Sequence, residues 1–133
     1  TYTIGEDTYV FEARWKVSER EGVGFLMALF DENIGGFGFA YNRNNEPEEI
    51  VCDSSTEEFA MLKPCHTNST LLNSYKIKFN RNKQEFFING EQKETNRGTF
   101  PVNTNLHIDF SCKSKEGKEV SCFIDYVKLI KEQ

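Results

Sequence analysis

No run of apolar residues in this chain of 133 approaches the about 20 needed to cross a bilayer as a helix, so membrane insertion is not expected. No segment repeats its apolar residues every three or four positions over a useful length, which leaves no amphipathic helix to build on. CxxC pairs are missing, and the only histidines, His66 and His107, are not spaced with Cys52, Cys65, Cys112 and Cys122 as zinc ligands would be. Neither histidine stands near a Ser or Cys nucleophile in a catalytic motif. Basic residues gather into no stripe, and with 16 Lys and Arg against 21 Asp and Glu the net charge of -5 repels phosphate backbones, so nucleic acid is excluded as a partner. Residues Thr1 to Asp7 lack the basic-then-apolar pattern of a signal peptide, so any leader is expected to have been removed already. Repeats and linkers are absent too, and the length suits one domain over residues 1–133.

What the chain does contain is aromatic side chains, 14% of the total, and alternation with a period of two. Tyr9, Phe11, Ala13, Trp15 and Val17 alternate with Glu12, Arg14 and Lys16, which predicts a strand with one wet face. Phe25 to Phe30 is a continuous apolar run and reads as a central strand covered on both faces. Gly36-Phe37-Gly38-Phe39-Ala40-Tyr41 places rings on one face of a strand and leaves the other almost bare. Short strands follow at Glu49 to Cys52 and Phe59 to Leu62, separated by an acidic connection, and a long polar loop spans Cys65 to Ser74. Tyr75, Ile77 and Phe79 alternate with lysines, the chain turns into Gln84 to Asn89, and Asn89-Gly90 is a strong signal for a type I′ hairpin because both central residues need positive φ. Leu106, Ile108, Phe110 and Cys112 form another apolar face, with His107 on its opposite side, and Val120 to Ile130 is the last strand. Such strands with no helices between them predict an all-β fold of antiparallel sheets, stacked or closed.

The even cysteine count and the sequon Asn68-Ser69-Thr70 fit an oxidising compartment, with Asn68 as a glycosylation acceptor on a surface loop and the protein secreted or at a cell surface. If Gly117 centres the last turn, Cys112 and Cys122 face each other, while Cys52 and Cys65 flank one excursion of the chain. Those two bridges are the preferred pairing among the three that four cysteines allow.

Tyr75-Lys76-Ile77-Lys78-Phe79, Glu85-Phe86-Phe87-Ile88-Asn89-Gly90-Glu91, Phe100-Pro101 and the closing Phe123-Ile124-Asp125-Tyr126-Val127-Lys128-Leu129, with the opening Phe11-Glu12-Ala13-Arg14-Trp15-Lys16-Val17, resemble in order the concanavalin A-like lectin and glucanase superfamily. The likeness is greatest to the branch around family 16 glycoside hydrolases. It implies a two-sheet jelly-roll sandwich. It does not bring the catalytic machinery with it: retaining enzymes of that family carry an ExDxE pattern on one strand, so that two carboxylates flank the sugar bond about 5 Å apart. The strand in the corresponding place here, Gly36 to Tyr41, has no carboxylate, and the acidic stretches Glu46 to Glu49 and Asp53 to Glu58 read as solvated loops. The expected catalytic set is therefore empty.

The resemblance implies a carbohydrate-binding, lectin-like domain that works through its concave sheet and rim loops, with a glycan or polysaccharide as partner. Rings to stack on sugars are sought in Trp15, Tyr41, Phe87 and Tyr126, although a Trp inside an apolar face is more often core; Asn42, Arg43, Asn44 and His107 are the polar candidates. The family's structural calcium maps to the carboxylate of Asp125 with carbonyls near Gly5 and Gly22. Competing readings are a structural or protein-interaction module of a surface, envelope or virion protein, with a protein partner or a homo-oligomer, and a glycosidase with an unrecognised site.

Overall fold

The computed structural model describes residues 2–18, 23–42, 49–65, 67–114, 119 and 121–132. The strands are β1 (Tyr2–Thr3), β2 (Tyr9–Val17), β3 (Val23–Asp31), β4 (Gly35–Asn42), β5 (Glu49–Thr56), β6 (Ala60–Pro64), β7 (Asn73–Asn80), β8 (Lys83–Ile88), β9 (Glu91–Asn96), β10 (Asn105–Ser114) and β11 (Cys122–Lys131). Among the described residues there is no helix. A six-stranded sheet runs β1-β10-β3-β4-β5-β6 and a five-stranded sheet runs β11-β2-β7-β8-β9. All pairs are antiparallel, and β10 lies beside β3 just as β11 and β7 flank β2, so long connections cross between the sheets as in a jelly roll.

The two sheets close on rings. Phe11, Ala13, Trp15 and Val17 of β2 point inward and meet Tyr75, Ile77 and Phe79 of β7 and Phe86 of β8, while Met27, Leu29, Phe37 and Phe39 come from the other sheet. Trp15 stacks on Tyr75 at 4.3 Å between centroids, and Phe39 meets Tyr75 and Phe86 edge-on at 5.2 and 5.5 Å. Offset and edge-on contacts of this kind place the positive rim of one ring on the negative face of the next, adding about 1 kcal/mol each to the burial itself. The hairpin β8–β9 turns at Asn89 and Gly90 with φ of 53° and 83°, as the type I′ turn requires.

One polar cluster also crosses the sandwich. Ser54 of β5 donates to Gln84 Oε1 at 3.0 Å, and Asn96 donates to both at 3.0 and 2.7 Å. Ser54 and Gln84 are fully buried. Because every one of these groups has a partner, the cluster costs little and fixes the register of β5 against the five-stranded sheet. It also explains why β5 continues to Thr56 where the sequence pattern ends it at Cys52, so Asp53 to Thr56 is strand and not solvated loop. The following strand lies at Ala60–Pro64, displaced from the expected Phe59 to Leu62. The strand over Phe25 to Phe30 is covered on one face only, by the core around Met27 and Leu29; its other face is open at Leu26 and Phe30.

Both preferred disulfides are formed, Cys52–Cys65 and Cys112–Cys122. The first links β5 to the residue that follows β6, with both residues buried; the second ties β10 to β11 and so joins the two sheets.

Candidate functional site

The register of the six-stranded sheet decides which side chains share its outer face. Since Met27 and Leu29 point into the core, Leu26, Ala28 and Phe30 point away from it, together with their partners across the ladders. One outward row reads His107, Phe30, Gly36 and Ser55; the next reads Asp109, Ala28, Gly38 and Asp53; the third reads Ser111, Leu26, Ala40 and Val51. The middle of this surface is bare by necessity. A Cβ on Gly36 would meet the Leu29 carbonyl and Phe30, and one on Gly38 would meet the Met27 carbonyl and Ala28. Glycine at both positions lets β4 approach β3 closely and leaves a trough along the sheet.

That trough is a cavity of about 280 Å³ lined by Ala28, Phe30, Gly36, Gly38, Asp53 and Asp109, among others. A second hollow of about 220 Å³ continues it past Leu26 and Ala40 to Ser111 and Lys113. The floor is apolar and the walls carry carboxylates, with the Phe30 ring at one end, held edge-on by His107 at 4.9 Å. Partial burial pushes the Asp53 carboxyl above the usual carboxylate range, since desolvation disfavours its charged form. Asp31, at the end of β3 next to this surface, behaves in the opposite way. Its carboxylate accepts hydrogen bonds from the Asn105 and Asn33 amides at 2.9 Å each, and those bonds hold its pKa down.

Among the described residues, the side chains expected to bind a ligand do not converge. Trp15 is fully enclosed against Tyr75, so its ring offers no face to a sugar. Tyr41 is 6% exposed, faces the core and shares a hydrogen bond with the Ser69 hydroxyl. Phe87 lies on the outer face of the five-stranded sheet, where the Lys76 ammonium sits 4.7 Å from its ring centre, and Tyr126 belongs to that sheet too, donating to Glu12 at 2.9 Å. Arg43 and Asn44 lie outside the described residues, and of Asn42 only the backbone is described. Among the described candidates, His107 stands on the outer face of this sheet, in keeping with the alternation, and Tyr41 adds to the lining of the second hollow. The residues that build the trough, Phe30, Asp53 and Asp109, carried one usable signal: the bare face of Gly36 to Ala40 implies a hollow wherever it is not packed.

Asn68 is exposed, and its side-chain oxygen accepts from the Thr70 amide and hydroxyl at 3.0 and 2.6 Å. Of the residues expected to hold calcium, Asp125 and Gly5 lie toward opposite ends of β2. Asp125 occupies a bulge of β11 opposite Arg14 and Trp15, and pairs with Arg14 at 3.5 Å. The Gly5 carbonyl accepts from the Arg81 amide at 2.9 Å, beyond the other end of β2, where Tyr9 faces Phe79. Five residues of extended strand, about 17 Å, separate those two places. Gly22 lies outside the described residues.

No protein-family model matches the sequence, and no curated protein does. Solved structures do match in fold. One, from work on the endo-acting O-glycanases that prominent members of the human gut microbiota express to initiate mucin breakdown, superposes with a TM-score of 0.73 at 10% identity, over 100% of this chain and 72% of its own. The Bacillus licheniformis β-glucanase superposes with a TM-score of 0.64 at 11% identity, over 98% of this chain and 66% of the enzyme. A galectin of Caenorhabditis elegans gives 0.57 at 8% identity, over 95% and 87%. These likenesses concern the path of the backbone, which hydrolases and binding proteins share.

Proposed function

Starting from a concanavalin A-like jelly-roll fold, we propose that this chain is a non-catalytic carbohydrate-binding domain whose binding surface is the trough on the outer face of the six-stranded sheet. One observation carries the reading: a glycine-floored hollow on an otherwise complete sheet, with an aromatic ring at one end and carboxylates on its walls. A saccharide needs that combination, because its apolar ring face stacks on aromatic carbon while its hydroxyls donate to carboxylate oxygens. Neighbouring folds include both hydrolases and a galectin, so the fold leaves the choice between cleavage and binding to the site. Asp53 and Asp109 sit on the same row three strand spacings apart, about 14 Å between backbones, and not on alternate positions of one strand as the acids of the ExDxE pattern do. Two disulfides support a place outside the cytosol, where a glycan ligand would be met.

The test is a glycan array probed with the wild-type protein and with Phe30→Ala and Phe87→Ala variants. Binding that is lost in Phe30→Ala and kept in Phe87→Ala, with both variants folded by circular dichroism, supports the trough. Binding lost only in Phe87→Ala moves the site to the other sheet.

A second reading has its own observation. Phe123, Ile124, Val127 and Ile130 are 41–51% exposed and all lie on β11, the edge strand of the five-stranded sheet. Apolar surface concentrated on one edge suits a protein partner or a second copy of the chain. Sedimentation of the purified protein separates these outcomes: a concentration-dependent dimer abolished by Phe123→Glu with Val127→Glu supports self-association through this edge.

A further inference from the structure

The trough is electrostatically one-sided. Asp53 and Asp109 stand on opposite walls, and among the described residues no Lys or Arg lines the hollow between them; His107 packs on Phe30 at its end, and Lys113 belongs to the second hollow beyond Ser111. Among the described residues no ion pair or side-chain hydrogen bond reaches either carboxylate. Elsewhere on the surface Arg14, Lys78, Arg81 and Lys128 each pair with a carboxylate. Asp53 is also partly withdrawn from water, and a desolvated carboxylate without a counter-charge is a cost that a cationic ligand would relieve. The Phe30 ring at the end of the hollow offers its face to a cation as well as to a pyranose.

Building on the glycan-binding reading above, we infer that the trough selects saccharides carrying free amines, such as oligomers of glucosamine, and rejects uronates and sialylated chains. Separate ammonium groups along the oligomer would meet the carboxylates of Asp53 and Asp109, forming charge-assisted hydrogen bonds that an acetamide or hydroxyl makes more weakly. An acidic sugar would place like charges together in a partly desolvated hollow, which costs binding free energy.

The experiment is calorimetric titration of the full chain at about pH 6, where sugar amines are largely protonated and most carboxylates ionised. The probes are a glucosamine pentamer, its fully N-acetylated counterpart, a neutral glucan of equal length and an oligouronate. The free-amine oligomer is expected to bind at least about tenfold tighter than the acetylated one, a difference of ~1.4 kcal/mol, and the oligouronate not at all. Asp53→Asn and Asp109→Asn keep the shape of the walls and remove their charge, so each should weaken binding of the free-amine oligomer by more than that of the acetylated one and so shrink that preference. Equal binding of the amine and acetylated oligomers, both lost in Phe30→Ala, overturns the charge selection and leaves the trough as a glycan site. Binding of none of the four saccharides, with the array also silent, overturns both readings.

Discussion

Asp53 and Asp109 face each other across a floor made of Ala28 and Gly38, on one row of the six-stranded sheet. Two acids in a groove on this fold invite comparison with glycosidases, and their spacing argues against it. A retaining pair has its carboxyls about 5 Å apart, whereas these two stand on strands with two others between them, about 14 Å from backbone to backbone. The protein is therefore expected to release no new reducing ends from mixed-linkage glucan or from mucin O-glycans during prolonged incubation. Reducing-sugar measurement checks this, with Asp53→Asn as the comparison; activity abolished by that change would place the protein among the hydrolases.

The acids near the trough pull stability in opposite directions with pH. Asp31 has its folded pKa lowered, chiefly by the Asn105 amide and then by that of Asn33. Its contribution is present above the unfolded value of 3.8 and is lost as pH falls through the lower folded value. Asp53 has its folded pKa raised by desolvation, so its contribution is present below 3.8 and is lost as pH rises through the folded value. At neutral pH, Asp31→Asn should lower the melting temperature and Asp53→Asn should raise it. Thermal melts across an acid-to-neutral series should show the Asp53→Asn advantage closing as pH falls toward 3.8.

Trp15 and Phe87 separate a structural ring from a surface ring. Trp15 is fully buried against Tyr75, and its removal leaves a hole where the sheets meet. Trp15→Ala should cost about 3–5 kcal/mol, the usual range for emptying a large core site. Phe87 lies on the outer face with Lys76 across its ring, so Phe87→Ala should cost about 1 kcal/mol or less. Urea unfolding monitored by fluorescence or circular dichroism reads both.

The alternation of β2, β7 and β10 was legible because each has one face in the core, so a period of two survives in the residue types. Asn89-Gly90 was legible because its backbone demands those residues. The end of β5 was not: Ser54 points inward, and what makes a buried serine tolerable is Gln84 and Asn96, 30 and 42 residues away. Reading Asp53 as loop followed from that, and with it went one wall of the trough. Alternation also separates two faces without saying which of them meets the other sheet. The pattern alone therefore offers Trp15 and Tyr41 as candidate platforms, whereas in the structure the rings of their strands face inward and the bare side of Gly36 to Ala40 faces outward. The shift between Ile124 and Tyr126 hid the surroundings of Asp125 in the same way, because a bulge changes face without changing composition.

The two disulfides close loops of similar length, with separations of 13 and 10 residues, so the constraint each places on the unfolded chain is nearly equal, about 3 kcal/mol. Their surroundings differ. Cys52 and Cys65 are 0% and 2% exposed and pack within the core cluster, while Cys112 is exposed and Cys122 only partly covered. Replacing Cys52 and Cys65 together by Ala removes the constraint and also vacates buried volume, whereas the same change at Cys112 and Cys122 removes little beyond the constraint. The first double variant should therefore unfold at lower denaturant than the second, by a margin of about 1 kcal/mol in guanidinium titrations. Equal midpoints would mean that chain constraint alone sets the worth of both bridges. A larger loss at Cys112 and Cys122 would mean that joining β10 to β11 across the sandwich rim contributes more than core packing does.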